Sequence, residues 1–202
     1  MLDRSAPVDL HVFQENHVKT IGNCPFNNGW LKCFGGADFV KPFAKEPVTC
    51  SGSTLGTWAG VSRYVDMMIA AFDEHTCWRN RDAVQSDQGY HNMLLLTRKL
   101  ETEGGLRVRR HAQGEGIVNT LGAMKSRIVP DEYKGATSLE DHWRARRADG
   151  HVINADGSLS PAVHQWDRWA EVLLKWVDSG VLYPKAVSAE EQRFLDQENA
   201  QS

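Results

Sequence analysis

A chain of 202 residues, 41% hydrophobic and 24% charged, is enough for one domain with a real core. Lys plus Arg number 23 against 26 Asp plus Glu, a formal net charge of −3, so nothing forms the basic stripe that a nucleic-acid partner needs. No apolar run approaches the ~20 residues that span a membrane, and the start, Met1 to Phe13, lacks the basic-then-apolar order of a signal peptide.

In chain order, the alternation over residues 9–14 predicts a strand. Asn23–Gly36 mixes Asn, Gly, Pro and aromatics and reads as an ordered loop or short turns. Pro47–Ser51 predicts a strand that enters a turn at Ser51-Gly52-Ser53. Val61, Tyr64, Val65, Met68, Ile69 and Phe72 fall at helical spacing and define one face of a helix. A second helix is expected from Ser86. The Ser86 hydroxyl suits an N-cap, Asp87 suits the positive end of the dipole, Met93–Leu96 supply buried bulk, and Gly104-Gly105 end it. Leu106–Arg109 then alternates as a strand.

Residues 125–150 are polar and Arg-rich, with a short helix expected around 138–147. His151–Ile153, Asn154–Gly157 and Leu159–His164 read as strand, turn and strand, with Pro161 marking the second arm as an edge. Trp166, Trp169, Ala170, Leu173, Leu174 and Val177 predict a last amphipathic helix, ended by Ser179-Gly180, with a polar tail from Ser188. Strands interleaved with helices make an α/β domain over 1–187, a mixed central sheet flanked by helices, followed by the tail 188–202.

Four cysteines, Cys24, Cys33, Cys50 and Cys77, match no zinc spacing. Cys24 with Cys33 would close a short loop; four idle thiols fit the count equally well. The short basic runs Arg107–His111 and Arg144–Arg147 read as solvated faces or as attraction for a diphosphate.

Three segments carry polar residues that a bland core does not require. In Cys50–Thr57, the small residues Ser51, Gly52 and Ser53 at a strand exit allow close backbone approach to a ligand, or form an ordinary turn. In Ser86–Asn92, Asp87, His91 and Asn92 fall near one another by helical spacing. Asp87 and Gln88 can receive sugar hydroxyls, or simply make a polar first turn. In Val163–Arg168, His164 between a strand and a helix can bind a divalent metal or a phosphate oxygen, or serve a structural role. Arg168 can support either use by pairing with Asp167 or with a phosphate.

Taken together, the segments resemble the glycosyltransferases of the GT-A fold, and more closely an uncharacterised algal and protist branch of them. The matching strings are Phe13-Gln14-Glu15, Asn27 with Trp30, Cys33-Phe34-Gly35, Cys50-Ser51-Gly52, Ser86–Asn92, Gly114–Gly122, Asn154–Gly157 and Val163–Arg168. The resemblance implies a partial GT-A-like domain, a nucleotide-sugar donor, a carbohydrate or glycoconjugate acceptor, and a divalent ion, Mn²⁺ or Mg²⁺. It implies donor contacts from Ser51, Gly52, Ser53, Gln88, His91, Asn92 and Arg168, with His164 at the metal. Asp87 would hold the transferred sugar, stabilise charge at its anomeric carbon, or act as base; Glu115, in a possible acceptor loop, is the other candidate base. In a eukaryote, behind a signal anchor, such a protein works in the Golgi lumen. One departure stands out, since no Asp here has another Asp two residues away, whereas metal-using GT-A enzymes carry an Asp-x-Asp pair. The expectation is that this pair precedes Met1 in a longer chain. Two rival readings are a non-catalytic remnant that binds or scaffolds, and a hydrolase using Asp87 and Glu115 as a carboxylate pair.

Overall fold

A computed structural model describes residues 7–15, 19–75, 86–120, 154, 158 and 160–165. The strand expected over 9–14 is β1 (Leu10–Gln14), with Leu10 and Val12 fully buried. It is the centre of a mixed three-stranded sheet of order β2-β1-β3. β2 (Thr49–Gly56) runs antiparallel to β1 and β3 (Val108–His111) runs parallel to it. β3 begins two residues later than the alternation suggests, because Leu106 turns into the core and the backbone of Arg107 is engaged with Asp9.

β2 corrects one expectation. The strand does not stop at Ser51; it continues to Gly56. The pairing steps from Phe13↔Cys50 to Val12↔Thr54, so Ser51, Gly52 and Ser53 leave the ladder as a bulge inside a continuous strand. Small residues suit a turn, yet they equally permit the kink that a bulge requires. Thr57, one residue beyond, caps α3 (Trp58–Glu74), its hydroxyl accepting from the Gly60 N–H at 3.0 Å. Tyr64, Met68 and the partly buried Val61 and Phe72 face the core as expected, while Val65 and Ile69 remain exposed.

The Asn23–Gly36 stretch is also corrected: most of it is helix α1 (Pro25–Lys32). Pro25 sits in the first turn, where its missing N–H leaves nothing unpaired. Just before it, Thr20 and Asn23 exchange side-chain bonds with each other's N–H at 2.8 and 3.3 Å. The short helix α2 (Gly36–Val40) and a 3₁₀ turn, Lys41–Phe43, lead back to β2.

The second expected helix is α4 (Asp87–Leu96), with Ser86 as its N-cap accepting from the Gln88 N–H at 3.2 Å. It ends earlier than Gly104. Arg98 takes a left-handed φ of 59°, and a separate turn of helix, α5 (Lys99–Thr102), intervenes before the glycines. Every residue from Gln88 to Leu96 is buried, because α4 packs against α1, α3, α5 and β2. Leu31, Leu95 and Leu100, each at most 1% exposed, contribute about 1.5–3 kcal/mol apiece to this core.

β4 (Val118–Thr120) pairs in parallel with β5 (Ala162–His164), setting Thr120 opposite His164. Pro161 immediately precedes β5, and among the described residues β5 pairs with β4 alone. Cys33 is disulfide-bonded while Cys24 and Cys50 are reduced thiols, so the short Cys24–Cys33 loop does not form. The expected helices around 138–147 and 166–177, the strand at 151–153, the turn at Asp156-Gly157 and the tail lie outside the described residues, as does Arg168.

Candidate functional site

Three chain-distant segments meet at one cavity of about 320 Å³. The β2 bulge supplies Ser51 and Gly52, the first turn of α4 supplies Asp87 and Gln88, and the end of β5 supplies His164. A Cβ on Gly52 would stand 3.1 Å from His164 Nε2 and 3.2 Å from its Cε1, so the absent side chain leaves the space that the imidazole occupies. Gln165, at a left-handed φ of 58°, turns its amide to donate to Cys50 Sγ at 3.9 Å and ties the end of β5 to β2.

Asp87 is exposed at the head of α4, with Oδ1 accepting from the Ser86 hydroxyl at 3.0 Å. Its neighbour Gln88 is buried and donates to Asn27 Oδ1 on α1 at 3.3 Å; Asn27 in turn donates to Cys24 Sγ at 3.2 Å. This chain of amides joins α4 to α1, whose residues Phe26, Asn27 and Trp30, with the N-cap Cys24, form the facing wall.

The other expected site residues are placed elsewhere. Ser53 is buried and does not line the cavity. Asn92 clamps the backbone of β2: its Oδ1 accepts from the Thr49 N–H at 3.0 Å, and its Nδ2 donates to the Thr49 and Gln88 carbonyls at 2.8 and 2.9 Å. His91 is fully buried against Tyr64, ring nitrogen Nδ1 to hydroxyl at 2.8 Å. Glu115 sits in the exposed turn between β3 and β4, its Oε2 accepting from the Ala112 N–H at 3.0 Å. It does not line the cavity, so the carboxylate pair of the hydrolase reading is not brought together there.

Burial, reinforced by the charge of Arg110 and opposed by Asp87, lowers the pKa of His91 to about 4. Burial also raises the Tyr64 hydroxyl above its ordinary value. The unfolded chain therefore takes up the His91 proton first. The contribution of His91 to stability is complete above about pH 6.5 and drains away as the pH falls from there to about 4. Burial shifts His111 in the same direction. Stability is expected to fall by up to about 3 kcal/mol for His91 across this window. Urea midpoints measured from pH 7 to pH 4 check this: His91→Gln should flatten the profile, and parallel profiles for the two proteins would remove His91 as the cause.

Sequence reasoning missed Lys19. Its side chain is 2% exposed and lines the cavity, where burial lowers its pKa against the opposing pull of Cys24 and Glu15. A single Lys in a polar run carries no pattern that separates a cavity wall from a solvated surface. Phe26 carries no such signal either, because the mixed composition of Asn23–Gly36 hides the helix that presents it.

Mn²⁺ and Mg²⁺ favour several oxygen ligands held together. Among the described residues, no group of three His, Cys, Asp or Glu side chains is placed to hold a metal ion. No helix among the described residues is long and apolar enough to cross a membrane. A scan against models of protein families, a search of curated proteins and a search of solved structures return no match.

Proposed function

We propose that this chain is a glycosyltransferase-like protein of the GT-A type, moving a sugar from a nucleotide-activated donor to a hydroxyl of a carbohydrate or glycoconjugate acceptor. The observation that carries the reading is the meeting of Ser51-Gly52, Asp87-Gln88 and His164 at one cavity, from three segments far apart in sequence. A carboxylate, amides, a hydroxyl and an imidazole around a small space suit a polyhydroxylated ligand, which offers paired donors and acceptors.

In the transfer, the bond from the anomeric carbon to the leaving phosphate oxygen breaks and a bond to the acceptor oxygen forms. Asp87 takes the acceptor's proton if configuration inverts. If configuration is retained, its charge stabilises the developing cation at the anomeric carbon while the leaving phosphate oxygen takes the acceptor's proton. His164 donates to a phosphate oxygen of the leaving group. A second reading, a binding or scaffold protein of the same type, is favoured by the lack of an Asp-x-Asp pair in this sequence.

Calorimetric titration with UDP and GDP, with and without Mn²⁺, tests the proposal. Binding of either nucleotide is expected, and a requirement for Mn²⁺ would favour the enzyme over the scaffold. A folded sample that binds neither nucleotide under either condition would overturn the nucleotide-sugar reading.

A further inference from the structure

Helix α1 places Phe26 and Trp30 one turn apart on the cavity wall, their ring centroids 6.1 Å apart and their planes inclined by 35°. The same helix buries Asn27 and Leu31, yet it leaves 56% of Phe26 open to solvent. Trp30 is held from behind by α4, since a Cβ on Gly89 would stand 2.9 Å from Trp30 Cβ. Two apolar rings thus line a cavity whose wall also carries the amides of Asn27 and Gln88 and the carboxylate of Asp87.

That pairing has a specific chemical complement. A pyranose has an apolar C–H face and a rim of hydroxyls; the face rests on aromatic rings while the rim bonds to amide and carboxylate groups. The cavity, at about 320 Å³, lies at the small end of the usual ligand range of about 300–1,000 Å³. It therefore has room for a sugar ring. Among the described lining residues, Glu15 and Asp87 set two carboxylates against the single ammonium of Lys19, which disfavours a sugar bearing its own negative charge.

We propose that Phe26 and Trp30 form a stacking platform for an uncharged pyranose ring. The stacking does not depend on the sugar-transfer reading.

The test is ¹⁹F NMR of the full chain carrying 5-fluorotryptophan, with the Trp30 signal assigned by Trp30→Phe. The probes are the methyl glycosides of glucose, galactose, mannose and xylose, together with methyl glucuronide. At least one neutral glycoside is expected to shift the Trp30 signal, with methyl glucuronide leaving it in place. Phe26→Ala, at an exposed position that should not disturb the fold, is expected to weaken that binding about three- to tenfold. The proposal is overturned if no neutral glycoside moves the Trp30 signal, if the glucuronide moves it equally, or if Phe26→Ala binds like wild type. Titrating the same sample with UDP and GDP plus Mn²⁺ separates the two ideas. Glycoside shifts without nucleotide binding keep the platform and remove the transfer reading, and the reverse removes only the platform.

Discussion

Gly60→Ala is expected to destabilise the protein by at least ~3 kcal/mol, or to prevent folding altogether. A Cβ at Gly60 would lie 2.1 Å from the carbonyl oxygen of Asp9 and 2.8 Å from its carbon, both backbone atoms at the entry to β1. Asp9 has no room to retreat. Its carbonyl accepts from the Thr57 N–H at 3.1 Å, and its own N–H donates to the Arg107 carbonyl at 3.0 Å. Its carboxylate accepts from the Arg107 N–H at 2.9 Å and from Arg107 Nε at 3.0 Å. The strand is therefore pinned from both sides where α3 crosses it, and the clash must be relieved by moving the whole helix start. Urea unfolding gives the measurement. Gly29→Ala is the control, because a Cβ there meets nothing within 4 Å and α1 should accept it with no loss of stability. Equal midpoints for Gly60→Ala and wild type would mean that α3 is not seated on β1 as described.

Asp87→Asn and His164→Ala are each expected to reduce sugar transfer at least ~100-fold, the size typical when a charge partner of the transition state is lost. Asn preserves the shape of Asp87 and an oxygen for the Ser86 hydroxyl, so the helix cap survives while the negative charge and the base are removed. His164 ends a three-residue strand at the cavity and is partly exposed, so truncation should leave the core intact. Glu115→Gln, outside the cavity, should retain wild-type turnover. Turnover with the donor identified by calorimetry, alongside thermal unfolding of each variant, checks the set. Wild-type rates for Asp87→Asn or His164→Ala would take that residue out of the reaction.

What could be read from the chain and what could not follows from the range of each signal. The Ser86 cap, the Asp87 charge and the apolar face from Val61 to Phe72 are local patterns; α4 starts where they place it, and α3 contains that face but begins earlier, at Trp58. The alternation around Leu10 and Val12 likewise marks the central strand. The bulge at Ser51–Ser53 was not legible, because turn and bulge draw on the same small residues and only the partner strand decides between them. Asn23–Gly36 misled through composition, although Pro25 at the first turn of a helix was a usable clue. For His91 and Asn92, helical spacing placed them near Asp87 but said nothing of depth. α4 is enclosed along its length, so one turn beyond Asp87 the polar side chains serve the core and the Thr49 backbone instead of the cavity.

The bulge in β2 also separates two kinds of constraint along one strand. Thr49 and Cys50 pair with Gln14 and Phe13, and Thr49 is held by Asn92, so changes there disturb the register of the sheet. Ser51 holds no rung of that ladder and faces the cavity. Substitutions at such a position alter what the cavity welcomes while folding proceeds as before. In lineages descended from a common ancestor, divergence in ligand preference should therefore accumulate at Ser51 well before Thr49 begins to drift.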